Sequence, residues 1–287
     1  MNKTVLITDL DNTLFDWFSI WYNSNSAMIS KVCQISGIDN QTILSEMKAI
    51  HQLHGTAEYA FVLESLPSLL SKYGCKSKIR TALDEAIHAF RAERKKHLKL
   101  YDTVEETLIK LKEKGSLVVA YTESRSYYTS YRIKKLGLDK YIDYLYSPPD
   151  HALPDGEGLN TNFEFVNTIH RHTPVGELKP NPKLLIDIIT DIGANVEDCV
   201  YIGDSEMKDI EMAQQAKVTD IFAKYGTSHF ESNPAGYDLL RAVTHWTDAD
   251  VEREKKIKEE FHHIPATYTV DKFDEILKIC TFMPFQP

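Results

Sequence analysis

Val5, Leu6 and Ile7 form an unbroken apolar run that ends at once in two acids, Asp9 and Asp11, with Thr13 close behind. A short run that is apolar at every residue predicts a strand buried on both faces, the habit of a parallel sheet. Carboxylates at the carboxyl end of such a strand are costly unless a cation or a ligand satisfies them. That edge of an open α/β sheet is also where ligands bind. Asp and Asn are ordinary turn formers too, so the pair by itself leaves a solvated strand-to-loop turn as the alternative.

After Asp16 the pattern turns helical and stays so to Lys99. Trp17, Trp21, Met28 and Val32 recur at helical spacing until Gly37, and further helices are expected near 40–53, 58–73 and 76–99. Trp17, Trp21 and Tyr22 read as packing within this block rather than as the lining of a pocket. Arg91, Arg94, Lys95 and Lys96 read as a solvated helix face. From Tyr101 strands and helices alternate again: a helix over 104–114 closed by Gly115, a strand over 117–121, a helix over 126–136 and a strand over 141–146. The segment 148–177 holds four prolines and three glycines, which predicts a surface excursion with a short helix near 163–170. Pro182 then opens a helix that ends at Gly193. Strands over 199–202 and 218–223 flank a helix that reaches Ala216. A charged, solvated helix over 248–260 and a last strand and helix over 266–270 and 272–279 complete the chain. The expected fold is α/β, a parallel-sheet core of residues 1–15 and 100–287 with an all-helical insertion over 16–99.

At 287 residues the chain is long enough for one large or two coupled domains. A formal net charge of −9 argues against a broad nucleic-acid or anionic-membrane surface, though not against a small anion site. Cys33, Cys75, Cys199 and Cys280 lie far apart with no C-x-x-C pair, as expected of thiols in a reducing compartment. No apolar stretch approaches the ~18 residues that span a bilayer, and the expected location is cytoplasmic. His170 and His172, like His262 and His263, lack the spacing and the neighbouring Glu of a zinc enzyme.

The strands that matter end in chemistry: Asp9 and Asp11 leave the first, Thr122 the second, and Asp204 and Asp209 follow the strand over 199–202. Lys179 stands just before the preceding helix. In a parallel sheet all the carboxyl ends share one edge, so these groups can converge. Asp9, Asp204 and Asp209 are hard oxygen donors of the kind that suit Mg²⁺. Lys179 offers a point charge for a phosphoryl oxygen. Thr122 offers a hydroxyl, and the turn from Thr122 through Glu123 to Ser124 offers backbone N–H groups. Without a cation the acids would repel a phosphate dianion, each close like-charge pair costing on the order of 1 kcal/mol or more.

Asp9-x-Asp11-x-Thr13, Thr122 after an apolar strand, Lys179 before Pro180, and Gly203-Asp204 with Asp209 five residues on resemble, in order, the four motifs of the haloacid dehalogenase superfamily. The resemblance implies a Rossmann-like core, Mg²⁺ and an aspartyl-phosphate intermediate. It makes Asp9 the nucleophile and Asp11 the general acid and base, and it gives Thr122 and Lys179 the phosphoryl group, with Glu123 beside them. Asp9, Asp11, Asp204 and Asp209 become the metal site, with Glu206 left open as an alternative to Asp209. The helical block falls where members carry a cap, as in the phosphoglycolate-phosphatase-like branch. Dehalogenases lack an acid at the place of Asp11, so its presence favours phosphoryl chemistry. The expected activity is Mg²⁺-dependent hydrolysis of a small phosphorylated metabolite. A phosphotransferase or phosphomutase would use the same residues, and a regulatory module that binds phosphate without turnover would retain them; neither nucleic acid nor membrane is expected as a partner.

Overall fold

The computed structural model describes residues 1–150, 163–262 and 264–286, so the central part of the expected excursion, 151–162, lies outside the described residues. Seven strands form one sheet: β1 (Val5–Thr8), β2 (Leu117–Tyr121), β3 (Tyr144–Ser147), β4 (Ile169–His172), β5 (Cys199–Gly203), β6 (Thr219–Ala223) and β7 (Tyr268–Val270). Their order is β4-β3-β2-β1-β5-β6-β7, and every pairing is parallel. The chain steps outward from β1 to β4, returns to β5 on the other side of β1, and steps outward again. β1 is therefore the centre, and the switch in direction falls between it and β5, where ligands collect in open α/β sheets.

Val5 lies opposite Leu117 on one side and Cys199 on the other. Side chains alternate along a strand, so Val5, Ile7, Val119, Tyr121, Cys199 and Tyr201 share one buried face. Leu185, Ile188 and Ile189 of the helix Pro182–Asp191, and Met212 and Ala213 of the helix Glu211–Gln215, cover that face. Val5, Leu6 and Ile7 are all fully buried, which accounts for an apolar run with no wet side.

The short helix expected near 163–170 is replaced by the approach to β4 and β4 itself. The Asp139 carboxylate accepts hydrogen bonds from the backbone N–H groups of Val166, Asn167 and Thr168 at 3.0, 3.2 and 3.1 Å. These bonds hold the backbone off a helical path, and they come from a residue far back in the chain. β4 is an edge strand with a single apolar residue, so no alternation announced it.

The chain forms two compact units. Met1–Asp16, Lys99–Ser228 and Glu260–Pro287 make the sheet unit, and Trp17–Leu98 with His229–Glu259 make a helical one. The expected boundary is corrected on the C-terminal side: 229–259 belongs to the helical unit and not to the sheet unit. The helix Pro234–Val243 seats Val243 in the helical core with Val32, Ile43, Met47 and Leu83. Tyr237 stacks on Phe18 with ring centroids 4.4 Å apart. His51 Nδ1 pairs with the Val243 carbonyl at 2.7 Å, and Gln52 Nε2 donates to the Trp246 carbonyl at 2.8 Å. Trp21 is buried in the same core, in keeping with a packing role. The expected helix over 58–73 is interrupted before Pro67, which opens Pro67–Tyr73 from its first turn. Among the described residues no helix is long and apolar enough to cross a membrane. All four cysteines are free.

Candidate active site

The ladder between β1 and β5 runs one residue past β1, because Asp9 N–H donates to the Ile202 carbonyl at 2.9 Å. Asp9 thereby continues the face of Val5 and Ile7. The chain then turns sharply. Asn12 adopts a left-handed backbone (φ 58°), a conformation Asn tolerates better than most residues, and its N–H donates to the Phe15 carbonyl at 2.8 Å. Two residues after β6 the chain supports this turn from outside: the Tyr225 hydroxyl donates to the Thr13 carbonyl at 2.7 Å. Gly226 lies so close that a Cβ on it would sit 2.0 Å from the Asn12 carbonyl oxygen.

Asp9, Asp204 and Asp209 each present a carboxylate oxygen within 4.8 Å of the others. Lys179 Nζ donates to Asp9 Oδ1 at 2.6 Å and to Asp209 Oδ1 at 2.8 Å. The Tyr121 and Tyr201 rings flank this ammonium, with centroids 4.8 and 5.6 Å away, and the Tyr201 hydroxyl donates to Asp209 Oδ1 at 2.7 Å. With all three carboxylates ionised, one ammonium faces them, an imbalance of two negative charges. The titration behaviour reflects it. Burial pushes the Asp9 carboxyl up to about 8, with Asp209 and Asp11 adding to the rise and Lys179 opposing it. Desolvation, then Asp9 and Asp209, hold Asp204 well above the carboxylate range. Burial alone would lower Lys179, yet Asp209 and Asp9 outweigh it and keep the ammonium charged. An all-oxygen donor set with two unbalanced charges fits one hard divalent cation.

The five-residue step from Asp204 to Asp209 is accommodated by a π-helical turn over Glu206–Ile210. Ile210 N–H reaches back five residues to the Ser205 carbonyl at 3.1 Å, and Asp209 Oδ2 accepts from Ser205 N–H at 3.2 Å. The widened turn aims Asp209 back at the strand end, while Glu206 stays exposed. Between the two acids left open by the sequence, Asp209 is the one that joins the cluster. Gly203 makes room for it, since a Cβ there would meet Asp209 Cγ at 2.4 Å.

The Asp11 carboxylate, expected as a fourth metal ligand, is not part of this group of oxygens. Its partners lie on the segment leaving β2. Ser124 Oγ donates to Asp11 Oδ2 at 2.5 Å, Thr122 Oγ1 donates to the same oxygen at 3.4 Å, and Arg132 donates to Oδ1 at 3.1 Å. A guanidinium and two hydroxyls hold the carboxylate on their own side. Glu123, expected beside the substrate through its backbone, commits its side chain elsewhere: Oε1 accepts from Lys179 N–H at 2.8 Å and Oε2 pairs with Lys208 Nζ at 3.5 Å. It ties the turn after β2 to the lysine loop and the π-helical turn.

The structure therefore brings Asp9, Lys179, Asp204 and Asp209 together, and sets Asp11 and Thr122 in a second group beside them. Arg132, Tyr201, Tyr225 and Gly226 escaped the sequence reading. Tyr201 carried a weak signal, a polar-tipped ring two residues before the glycine that ends a buried strand. Arg132 carried none, since a cation on a helix reads as solvated.

A family model described as haloacid dehalogenase-like hydrolase matches residues 3–217, more than half of the chain. No curated protein matches it. Among solved structures, the 2-haloacid dehalogenase of Pseudomonas syringae pv. Tomato DC3000 superposes with a TM-score of 0.52 at 15% identity, over 97% of this chain and 98% of that one. A Bacillus subtilis protein assigned as a HAD-hydrolase, YfnB, solved with magnesium bound, gives 0.51 at 16% identity over 97% and 99%. A Thermotoga maritima protein assigned as a β-phosphoglucomutase gives 0.51 at 17% identity over 97% and 98%. At these identities the likeness is one of fold. The motif order, the parallel sheet and the family match agree, and the chain belongs to the haloacid dehalogenase-like hydrolases.

Proposed function

We propose that the protein is a Mg²⁺-dependent phosphatase acting on a small phosphorylated metabolite, with Asp9 as nucleophile. The observation that carries this reading is the imbalance of Asp9, Asp204 and Asp209 against Lys179 at the carboxyl edge of the sheet. Asp9, Asp204 and Asp209 would hold the ion. When bound, it neutralises the acids and draws phosphoryl oxygens toward them. Lys179 and the Thr122 hydroxyl orient the phosphoryl group in line with Asp9. The Asp9 carboxylate attacks phosphorus, the bond to the ester oxygen breaks, and Asp11 protonates that oxygen as it leaves. Asp11, now ionised, takes a proton from water. The water oxygen bonds to phosphorus, the bond to Asp9 breaks, and both acids return to their starting states. An acid at Asp11 is what separates this chemistry from dehalogenation, where no alkoxide needs a proton. The helical unit is read as the family's cap, the part that selects the substrate, and the reaction needs neither nucleic acid nor membrane.

The test is phosphate release from a panel of sugar, nucleotide and small-acid phosphomonoesters, with Mg²⁺ and with EDTA. Turnover of at least one ester that EDTA abolishes supports the reading. Transfer to a second sugar phosphate in preference to water would make the protein a phosphotransferase, and binding of phosphate with no turnover of any ester would make it a regulatory module.

The same charges predict a pH effect on stability. Asp9 titrates near 8 in the metal-free fold, against about 4 in an unfolded chain. Between these values the folded protein keeps a proton that the unfolded chain has lost, so this group's contribution is present in acid and lost as pH rises toward 8. Mg²⁺ competes with that proton. The rise in Tm caused by Mg²⁺ should be larger at pH 8 than at pH 6, by several degrees; an equal rise at both would count against ion binding at Asp9.

A further inference from the structure

Arg132 is only 3% exposed, although it lies on the helix Ser126–Lys135 with solvent within reach of its neighbours. A buried guanidinium is expensive unless something specific satisfies it. Its NH1 donates to Asp11 Oδ1 at 3.1 Å and to Ser124 Oγ at 3.4 Å, and its Cζ lies over the rings of Phe15 and Tyr128, 5.9 and 5.7 Å from their centroids. Phe15 belongs to the same turn as Asp11, with which it forms a bridge. The arginine therefore grips the turn twice, by the carboxylate and by the ring that backs it. Ser124 Oγ takes the other carboxylate oxygen at 2.5 Å.

We propose that Arg132 is a positioning residue: together with Ser124 it fixes the Asp11 carboxylate for proton transfer and keeps it out of the metal cluster. The inference rests on the phosphatase reading above. A proton donor serves the departing oxygen only within hydrogen-bond reach of it. A carboxylate free to rotate would spend much of its time elsewhere, drawn by any cation among Asp9, Asp204 and Asp209. Arg132 supplies a competing positive charge from the helix Ser126–Lys135, whose Thr129, Ser130 and Ile133 are buried. Because its hydrogen bonds go to Asp11 and Ser124 and not to Lys179 or Asp9, its loss should weaken protonation of the leaving group and leave phosphoryl binding largely intact.

The test compares phenyl phosphate, whose phenolate leaves poorly without a proton, with 4-nitrophenyl phosphate, whose anion leaves readily. Arg132→Gln, Arg132→Lys, Ser124→Ala and Asp11→Asn are each assayed with Mg²⁺, and the Tm of each is recorded. Arg132→Gln should lower kcat on phenyl phosphate about 100-fold and on 4-nitrophenyl phosphate less than about 10-fold, with KM little changed, a loss in the range general acids supply. Asp11→Asn should show the same preference more strongly, Ser124→Ala more weakly, and Arg132→Lys should recover part of the loss. If Arg132→Gln does not fold, Ser124→Ala and Arg132→Lys still carry the comparison. Equal losses on both esters, no loss, or a rise in kcat would overturn the proposal. A wild-type protein that turns over neither ester with Mg²⁺, nor any ester of the wider panel, would instead overturn the phosphatase reading.

Discussion

Asp9→Asn should abolish turnover, lowering kcat on any ester the wild type hydrolyses by about 10⁴-fold or more, as removal of a nucleophile does elsewhere. The amide fills the space of the carboxylate and its oxygen can still accept from Lys179, so the change removes the attacking charge and one charged donor to the ion while leaving the packing as it is. No bond from residue 9 to phosphorus can form, and any residual rate must come from direct attack by water. The fold should not suffer. The substitution takes one of three carboxylates from around a single ammonium, so the metal-free variant should melt no lower than the wild type, and at pH 8 higher, because the cost of ionising Asp9 in that place is gone. The pair of measurements is kcat against Tm. A variant that keeps more than a few per cent of kcat would rule out covalent catalysis at Asp9. A variant that is inactive because it has unfolded would contradict the charge argument instead.

How much of this was legible beforehand follows from how local each feature is. The strand ending in Asp9 and Asp11 could be read because its apolar run and its acids are contiguous, and the parallel sheet followed from burial on both faces. Lys179 and Asp204 were readable as end-of-strand and pre-helix groups once the sheet was assumed. Asp209 was ambiguous with Glu206, because the π-helical turn that decides between them depends on a backbone bond from Ile210 to Ser205. The partners of the Asp11 carboxylate were not legible, because Arg132 and Ser124 lie more than a hundred residues away in the chain. The unit in which the helix Pro234–Val243 packs was not legible for a different reason: an amphipathic stripe says that a helix is covered on one side, not by which part of the chain. β4 depends on Asp139 capping three N–H groups, and no periodicity records that.

Gly226→Ala should lower kcat about 100-fold, though residue 226 carries no side chain and no chemistry. Its Cβ would stand 2.0 Å from the Asn12 carbonyl oxygen and 2.8 Å from Asp204 Cβ. The cause is contact rather than backbone strain, since Gly226 is not among the glycines with positive φ. The nearest obstacle is backbone, so no rotamer change relieves it; the turn after β1 or the 224–227 segment must move by about an ångström. A displacement of that size in the loop carrying Asp11, beside Asp9 and Asp204, is worth about 10²-fold in kcat. Overpacking at a buried site adds about 1–3 kcal/mol of destabilisation. Tyr225→Phe is the control, because it removes only the hydroxyl bond to Thr13, worth about 1 kcal/mol, and leaves the contact between backbones unchanged. It should lower Tm slightly and kcat by well under 10-fold. If Gly226→Ala proves as mild as Tyr225→Phe in both kcat and Tm, the turn has room to yield, and the close support of the catalytic loop by residues 225 and 226 is not what fixes Asp9 and Asp11 in place.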